Sequence, residues 1–135
     1  MFNQLGHATA SRVCYGKHVV LDQNPRLQDL FTPDGWAWDL TSPKVLKLLK
    51  DVRKELYELF PDSEYIHIGC DEAYYYSDCE ELRKQLPELL STLANEVIRE
   101  NRRPMLWMDM VLEEGKFAGH TAFGKAGECE AILNA

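Results

Sequence analysis

Two adjacent carboxylates, Asp71 and Glu72, stand where a short apolar run meets a helix-like segment. In an alternating α/β chain that junction is the C-terminal end of a parallel strand, where active sites form. Neighbouring strand residues point to opposite faces. The pair is therefore expected in two different environments, which would separate their proton affinities. One carboxylate would stay ionised while the other holds a proton, the division that acid catalysis of glycosidic cleavage needs. Alone, an Asp-Glu dipeptide is a weak signal, because most such pairs are solvated helix starts stabilised by the helix dipole.

Each neighbouring candidate carries a functional and a plainer reading. His7 could orient the acidic pair or be a structural histidine. Trp107 shares an expected strand face with Met105 and Asp109; read by itself it is a core tryptophan. Asp109 could hydrogen-bond within the site or end its strand. Among Tyr74, Tyr75 and Tyr76, Tyr74 is the candidate to reach substrate, the others packing at a helix start. His67 reads as a satisfied core histidine buttressing the site. Trp36 and Trp38 are open between a substrate-facing loop and packing.

These residues need elements to hold them. Phe2 to Leu5 reads as the tail of a strand ending at Gly6-His7, and Lys17 to Leu21 as a short extended segment. Asp22 to Leu40 is loop-like, with a turn at Pro33-Asp34-Gly35, where Pro sets φ and Gly permits a positive one. Ser42 as N-cap and Pro43 at the first position open a helix to Phe60. Its apolar face is Val45, Leu48, Leu49, Val52, Leu56 and Leu59, and Lys44, Lys47 and Lys50 form a solvated face. Glu64 to Gly69 is a strand leading into Cys70-Asp71-Glu72. Ser77 to Asn101 is helical, expected to break near Pro87, with Leu89, Leu90, Leu93, Val97 and Ile98 inward. Met105 to Met110 is the next strand, and a last helix begins near Gly127. Strands alternating with helices argue for a parallel sheet with right-handed crossovers.

Composition, 45% hydrophobic and 27% charged, is that of a globular protein. A net charge of -7 with scattered basic residues disfavours nucleic acid. No apolar run nears the roughly 20 residues of a membrane span. The N-terminus lacks a signal-peptide pattern, and the expectation is a cytoplasmic protein. The cysteines at 14, 70, 79 and 129 fit no metal or redox spacing and are expected as free thiols. Three strands cannot close a barrel of about 250 residues, so the chain is read as a slice, residues 1–135, of a single larger domain. The plainer alternative is a small three-layer domain that folds alone.

Tyr65 to Glu72 (YIHIGCDE) resembles the signature of glycoside hydrolase family 20, His-x-Gly-Gly-Asp-Glu. Glu55 to Asp62 (ELYELFPD) is similar to that family's helix-to-strand approach. Gly6-His7-Ala8 resembles the motif after its third barrel strand, and Leu106 to Asp109 (LWMD) its fifth strand. Together these span nearly the whole chain. Cys70 stands where most members carry a second Gly. With Gly35-Trp36 upstream it is similar to the hexosaminidase D-like branch. Cys can replace Gly there if φ is negative.

The resemblance implies a partial (β/α)8 barrel, roughly strands three to five, from a β-N-acetylhexosaminidase. It implies substrate-assisted retaining hydrolysis, in which the 2-acetamido oxygen of the sugar attacks C1. Glu72 would be the acid and base, Asp71 the acceptor of the acetamido N–H, and Trp107 an aromatic wall. The partner implied is an N-acetylhexosamine glycan, with no cofactor and no metal. The family's arginine from the first strand and its later tyrosine and tryptophans have no counterpart in this sequence, so the chain alone is expected to be inactive. The rivals are a non-catalytic carbohydrate-binding or decayed barrel fragment, a metal-dependent hydrolase using His67, Asp71, Glu72 and Asp109, and a structural α/β interaction domain.

Overall fold

A computed structural model describes residues 1–8, 24–107 and 109–110. The expected extended segment at 17–21, the helix near Gly127, His18, His120, Cys14 and Cys129 lie outside the described residues. A 3-10 helix, Pro25–Leu30, is followed by helix α1, Pro43–Leu59, and strand β1, Tyr65–His67. Then come the one-turn helix α2, Tyr74–Asp78, helix α3, Glu80–Arg99, and strand β2, Arg103–Met105. The strands pair in parallel, with Tyr65 opposite Arg103 and His67 opposite Met105. The order β1–α2–α3–β2 is the expected crossover unit.

The ladder runs past the strands proper, because the Ile68 N–H donates to the Met105 carbonyl and the Trp107 N–H to Gly69, each at 2.8 Å. Phe2 to Leu5 lies along the other side of β1, but it is not a regular strand. The Phe2 and Gln4 amides, two residues apart, donate to His67 and Ile68, which are adjacent. A parallel ladder spaces its acceptors evenly. The mismatch arises where β1 runs into Gly69 at φ 71°. The third expected strand is thus a hydrogen-bonded segment, and the strand expected at 105–110 starts at Arg103 instead.

Helix α1 starts at Pro43 as its sequence requires, though Ser42 makes no side-chain capping bond. Its buried line is Val45, Leu49 and Arg53, while Leu59 is exposed. The expected stripe is therefore rotated to admit an arginine. Arg53 is wholly buried between α1, α3 and the first segment. Its guanidinium donates to Gln4 Oε1 at 2.7 Å, Glu96 Oε2 at 2.5 Å and Glu100 Oε2 at 3.2 Å.

Helix α3 runs through Pro87 without a break; the interruption falls at Cys79 instead. Proline removes one helical hydrogen bond. The line Leu86, Leu90, Leu93 and Val97 is buried on both sides of it, and that continuous packing outweighs the lost bond. Ile98, expected inside, is exposed. The core joins Leu5, Leu40, Val45, Leu49, Ile68 and Tyr76 to that line. No helix among the described residues is long and apolar enough to cross a membrane.

Candidate active site

The chain leaves β1 through a run of left-handed residues. Gly69 has φ 71°, Cys70 69° and Glu72 49°. For residues with a Cβ this conformation costs about 1–2 kcal/mol each. It also cancels the alternation expected from strand geometry. Asp71 and Glu72 do not point to opposite faces but converge on one imidazole. His7 Nε2 lies 2.8 Å from Glu72 Oε2 and 3.5 Å from Asp71 Oδ2. His7 is itself left-handed, at φ 47°.

Gly69 is required on two counts, its φ and the Asn3 backbone and side chain that a Cβ would strike. Gly6 is required by close approach, since a Cβ there would run into the Asp71 carbonyl. Cys70 departs from the sequence expectation. Its φ is positive, so the condition under which Cys replaces Gly without strain is not met. The residue is fully buried, which recovers apolar contact, and burial pushes its thiol pKa up, leaving it unreactive. Cys70 and Cys79 are both free thiols.

Asn3 was not singled out from the sequence, yet it holds the acidic loop. Its Nδ2 donates to Asp71 Oδ1 at 2.5 Å, and its Oδ1 accepts the Cys70 amide at 3.0 Å and the Leu5 amide at 3.2 Å. The available signal was a polar amide in the apolar first segment, four residues before His7.

Asp109 and Tyr74 both reach Glu72. Asp109 Oδ2 accepts the Glu72 N–H at 2.7 Å. Its other oxygen is buried without a partner among the described residues. Burial raises the Asp109 pKa despite the bonds it accepts. Tyr74 is pushed up to about 12, by burial first and then by its hydrogen bond to Glu72. Tyr76, by contrast, is fully buried. It donates to the Trp38 carbonyl and accepts the Leu40 amide, both at 2.9 Å.

Trp36 closes the cluster from above Glu72. Its indole N–H donates to the Glu72 carbonyl at 2.7 Å, and its ring lies 4.5 Å from His7 and 6.1 Å from Tyr74. Trp107 stands apart from this group. It is 49% exposed and its ring partner is His67, at 4.8 Å. The Nδ1 of His67 accepts the Gly69 amide at 3.0 Å. The structure therefore gathers His7, Asp71, Glu72, Tyr74 and Asp109 at the C-terminal end of β1, while Trp107, on the β2 exit, packs against His67. Among the described residues no group of three or more His, Cys, Asp or Glu side chains is arranged to hold a metal ion.

The catalytic-domain model of Glycosyl hydrolase family 20 matches residues 2–124. The chain belongs to glycoside hydrolase family 20. Membership makes glycosidase the class of activity and a (β/α)8 barrel the architecture, of which β1, β2 and their helices are a part. It covers every residue of the acidic cluster, from Asn3 to Asp109. No solved structure matches the chain. His7 sits within hydrogen-bond reach of Glu72, whose carboxyl also meets the Tyr74 phenol.

Proposed function

We propose that this protein is a β-N-acetylhexosaminidase that removes terminal N-acetylhexosamine residues by substrate-assisted retaining hydrolysis. The observation that carries the reading is the convergence of both carboxylates on His7, Glu72 at 2.8 Å and Asp71 at 3.5 Å. Glu72 protonates the leaving glycosidic oxygen and then takes a proton from water. The sugar's acetamido oxygen attacks C1 as the leaving bond breaks, so no enzyme nucleophile is needed. Asp71, held by Asn3, accepts the acetamido N–H and stabilises the positive charge that develops on the acetamido group. His7 orients Glu72 and exchanges protons with it. Trp107, half exposed and packed against His67 at the β2 exit, is the proposed apolar wall for the acetamido methyl. Cys70 and the Gly35-Trp36 pair favour the hexosaminidase D-like branch.

The test compares N-acetylhexosaminides of good and poor leaving groups in the full-length protein. Glu72→Gln should lower turnover of the poor leaving group by about 10²–10⁴-fold, the usual worth of a general acid. A good leaving group should lose much less. Equal losses would rule out an acid role. Sugar binding without any turnover in the unaltered protein would favour the non-catalytic reading instead.

A further inference from the structure

Glu72 has a left-handed backbone that a glutamate does not choose unaided, with φ 49°. Both polar groups of its peptide units are nonetheless taken by side chains from distant parts of the chain. Its N–H donates to Asp109 Oδ2 and its carbonyl accepts the Trp36 indole N–H, each at 2.7 Å. The carbonyl also accepts the Tyr74 amide at 2.9 Å.

Trp36 is in turn built into place. The Thr32–Gly35 turn closes with the Gly35 amide donating to the Thr32 carbonyl at 2.7 Å. Asp34 Oδ1 accepts both the Thr32 hydroxyl at 2.6 Å and the Trp36 amide at 3.1 Å. The Ala8 amide donates to the Trp36 carbonyl at 3.0 Å, tying the loop to the segment that carries His7. With 9% of its surface exposed, Trp36 has little face left to offer a sugar.

We propose that Trp36 and Asp109 are positioning residues that clamp the Glu72 peptide from opposite sides and so aim its carboxyl at His7 and the leaving oxygen. The clamp rests on the hexosaminidase reading for its catalytic consequence but not for its structural one. Without it, Glu72 relaxes toward an ordinary negative φ, which swings the side chain off the line to His7. Two segments remote in sequence thereby set the acid.

Two readouts in the full-length protein test this. The first is the hydrogen exchange of the Glu72 amide. Trp36→Phe keeps the ring but removes the indole donor. Freeing the Glu72 carbonyl lets the residue turn and loosens its N–H from Asp109, so exchange at Glu72 should speed by about tenfold or more, roughly one hydrogen bond's worth, with the Leu93 and Val97 amides of α3 unchanged. Asp109→Ala should do the same from the other side, and it carries the test if Trp36→Phe disturbs the α3 amides. Asp109→Asn, which keeps an acceptor oxygen, should restore protection. Unchanged protection in both Trp36→Phe and Asp109→Ala overturns the clamp whether or not the enzyme turns over.

The second readout is the leaving-group dependence. Trp36→Phe should cost about tenfold in kcat on a poor leaving group, part of the acid's contribution, and less than about twofold on a good one. In a Glu72→Gln background it should cost nothing more, because residues acting through one group are not additive. A uniform or additive loss overturns the positioning role. A protein with no turnover, but with Glu72 deprotected by Trp36→Phe, keeps the clamp and overturns the hexosaminidase reading.

Discussion

Two clusters in this molecule each set two carboxylates on one nitrogen base, and they are built in opposite ways. Glu96 and Glu100 stand four apart on α3, so the helix presents both to Arg53 with no distortion. Tyr57 adds its hydroxyl to Glu100 at 2.8 Å. Arg53 is completely buried and its charge is met on both sides. Asp71 and Glu72 are adjacent, and only left-handed turns at Cys70 and Glu72 bring them to one histidine. His7 is 39% exposed, so its two acids meet it at the solvent edge. The first cluster spends its charges on holding helices together. The second is half open to solvent and keeps a backbone strained, which suits the proposed acid site at some cost in stability.

The largest effect that would sharpen this contrast is Asp71→Asn. It should lower kcat by about a thousandfold, near 4 kcal/mol, as for loss of a group that stabilises transition-state charge. The melting temperature should not fall, because a like charge is removed from beside Glu72. A variant that melts clearly lower would place Asp71 with the structural cluster. Arg53→Met should do the reverse. Removing one partner of a buried ion network costs about 3 kcal/mol, read as a shifted denaturation midpoint with unchanged slope. The folded fraction should keep its KM. A loss under about 1 kcal/mol, the worth of an exposed pair, would break the comparison.

The clusters also answer pH with opposite sign. Burial alone would raise the Glu100 pKa, but hydrogen bonds from Arg53 and Tyr57 outweigh it and the net shift is downward. Its stabilising contribution is present above the usual glutamate value of 4.5 and is lost as pH falls through the lower folded value. Asp109 is shifted upward by burial. Its contribution is full below the usual aspartate value of 3.8 and is lost as pH rises through the higher folded value. Acid unfolding should therefore flatten in Arg53→Met and persist in Asp109→Asn. Identical acid limbs in the two variants would show that the clusters do not divide in this way.

How far the sequence foretold each cluster follows from the range of the interactions. The start of α1 at Pro43 and the apolar line of α3 are local features, written at helical spacing. The acidic pair and His7 were legible as residues, through motif. Their convergence was not, since strand alternation says nothing of left-handed φ. Arg53 was invisible because a charged residue on a helix reads as solvated, as Lys44 and Lys47 indeed are. Asn3 and Trp36 act on residues 68 and 36 positions away, beyond any local pattern. Pro87 misled because packing on both sides of it outweighs one missing hydrogen bond.

The smallest effect concerns Cys70, where the strain and the packing nearly cancel. Cys70→Gly relieves a left-handed φ worth about 1–2 kcal/mol. Against this it empties a fully buried side-chain position and adds the chain entropy of glycine, about 0.5–1 kcal/mol. The Cys70 amide would still donate to Asn3. The net change in stability should stay within about 1 kcal/mol, and kcat within about twofold, because the loop already has the shape a glycine prefers. Cys70→Val keeps the burial but adds a β-branch where φ is positive, and it should cost more than the glycine variant gains or loses. If valine were tolerated as well as glycine, backbone strain at position 70 would not be what shapes the acidic loop. The convergence of Asp71 and Glu72 would then rest on the side-chain bonds from Asn3, Trp36 and Asp109 alone.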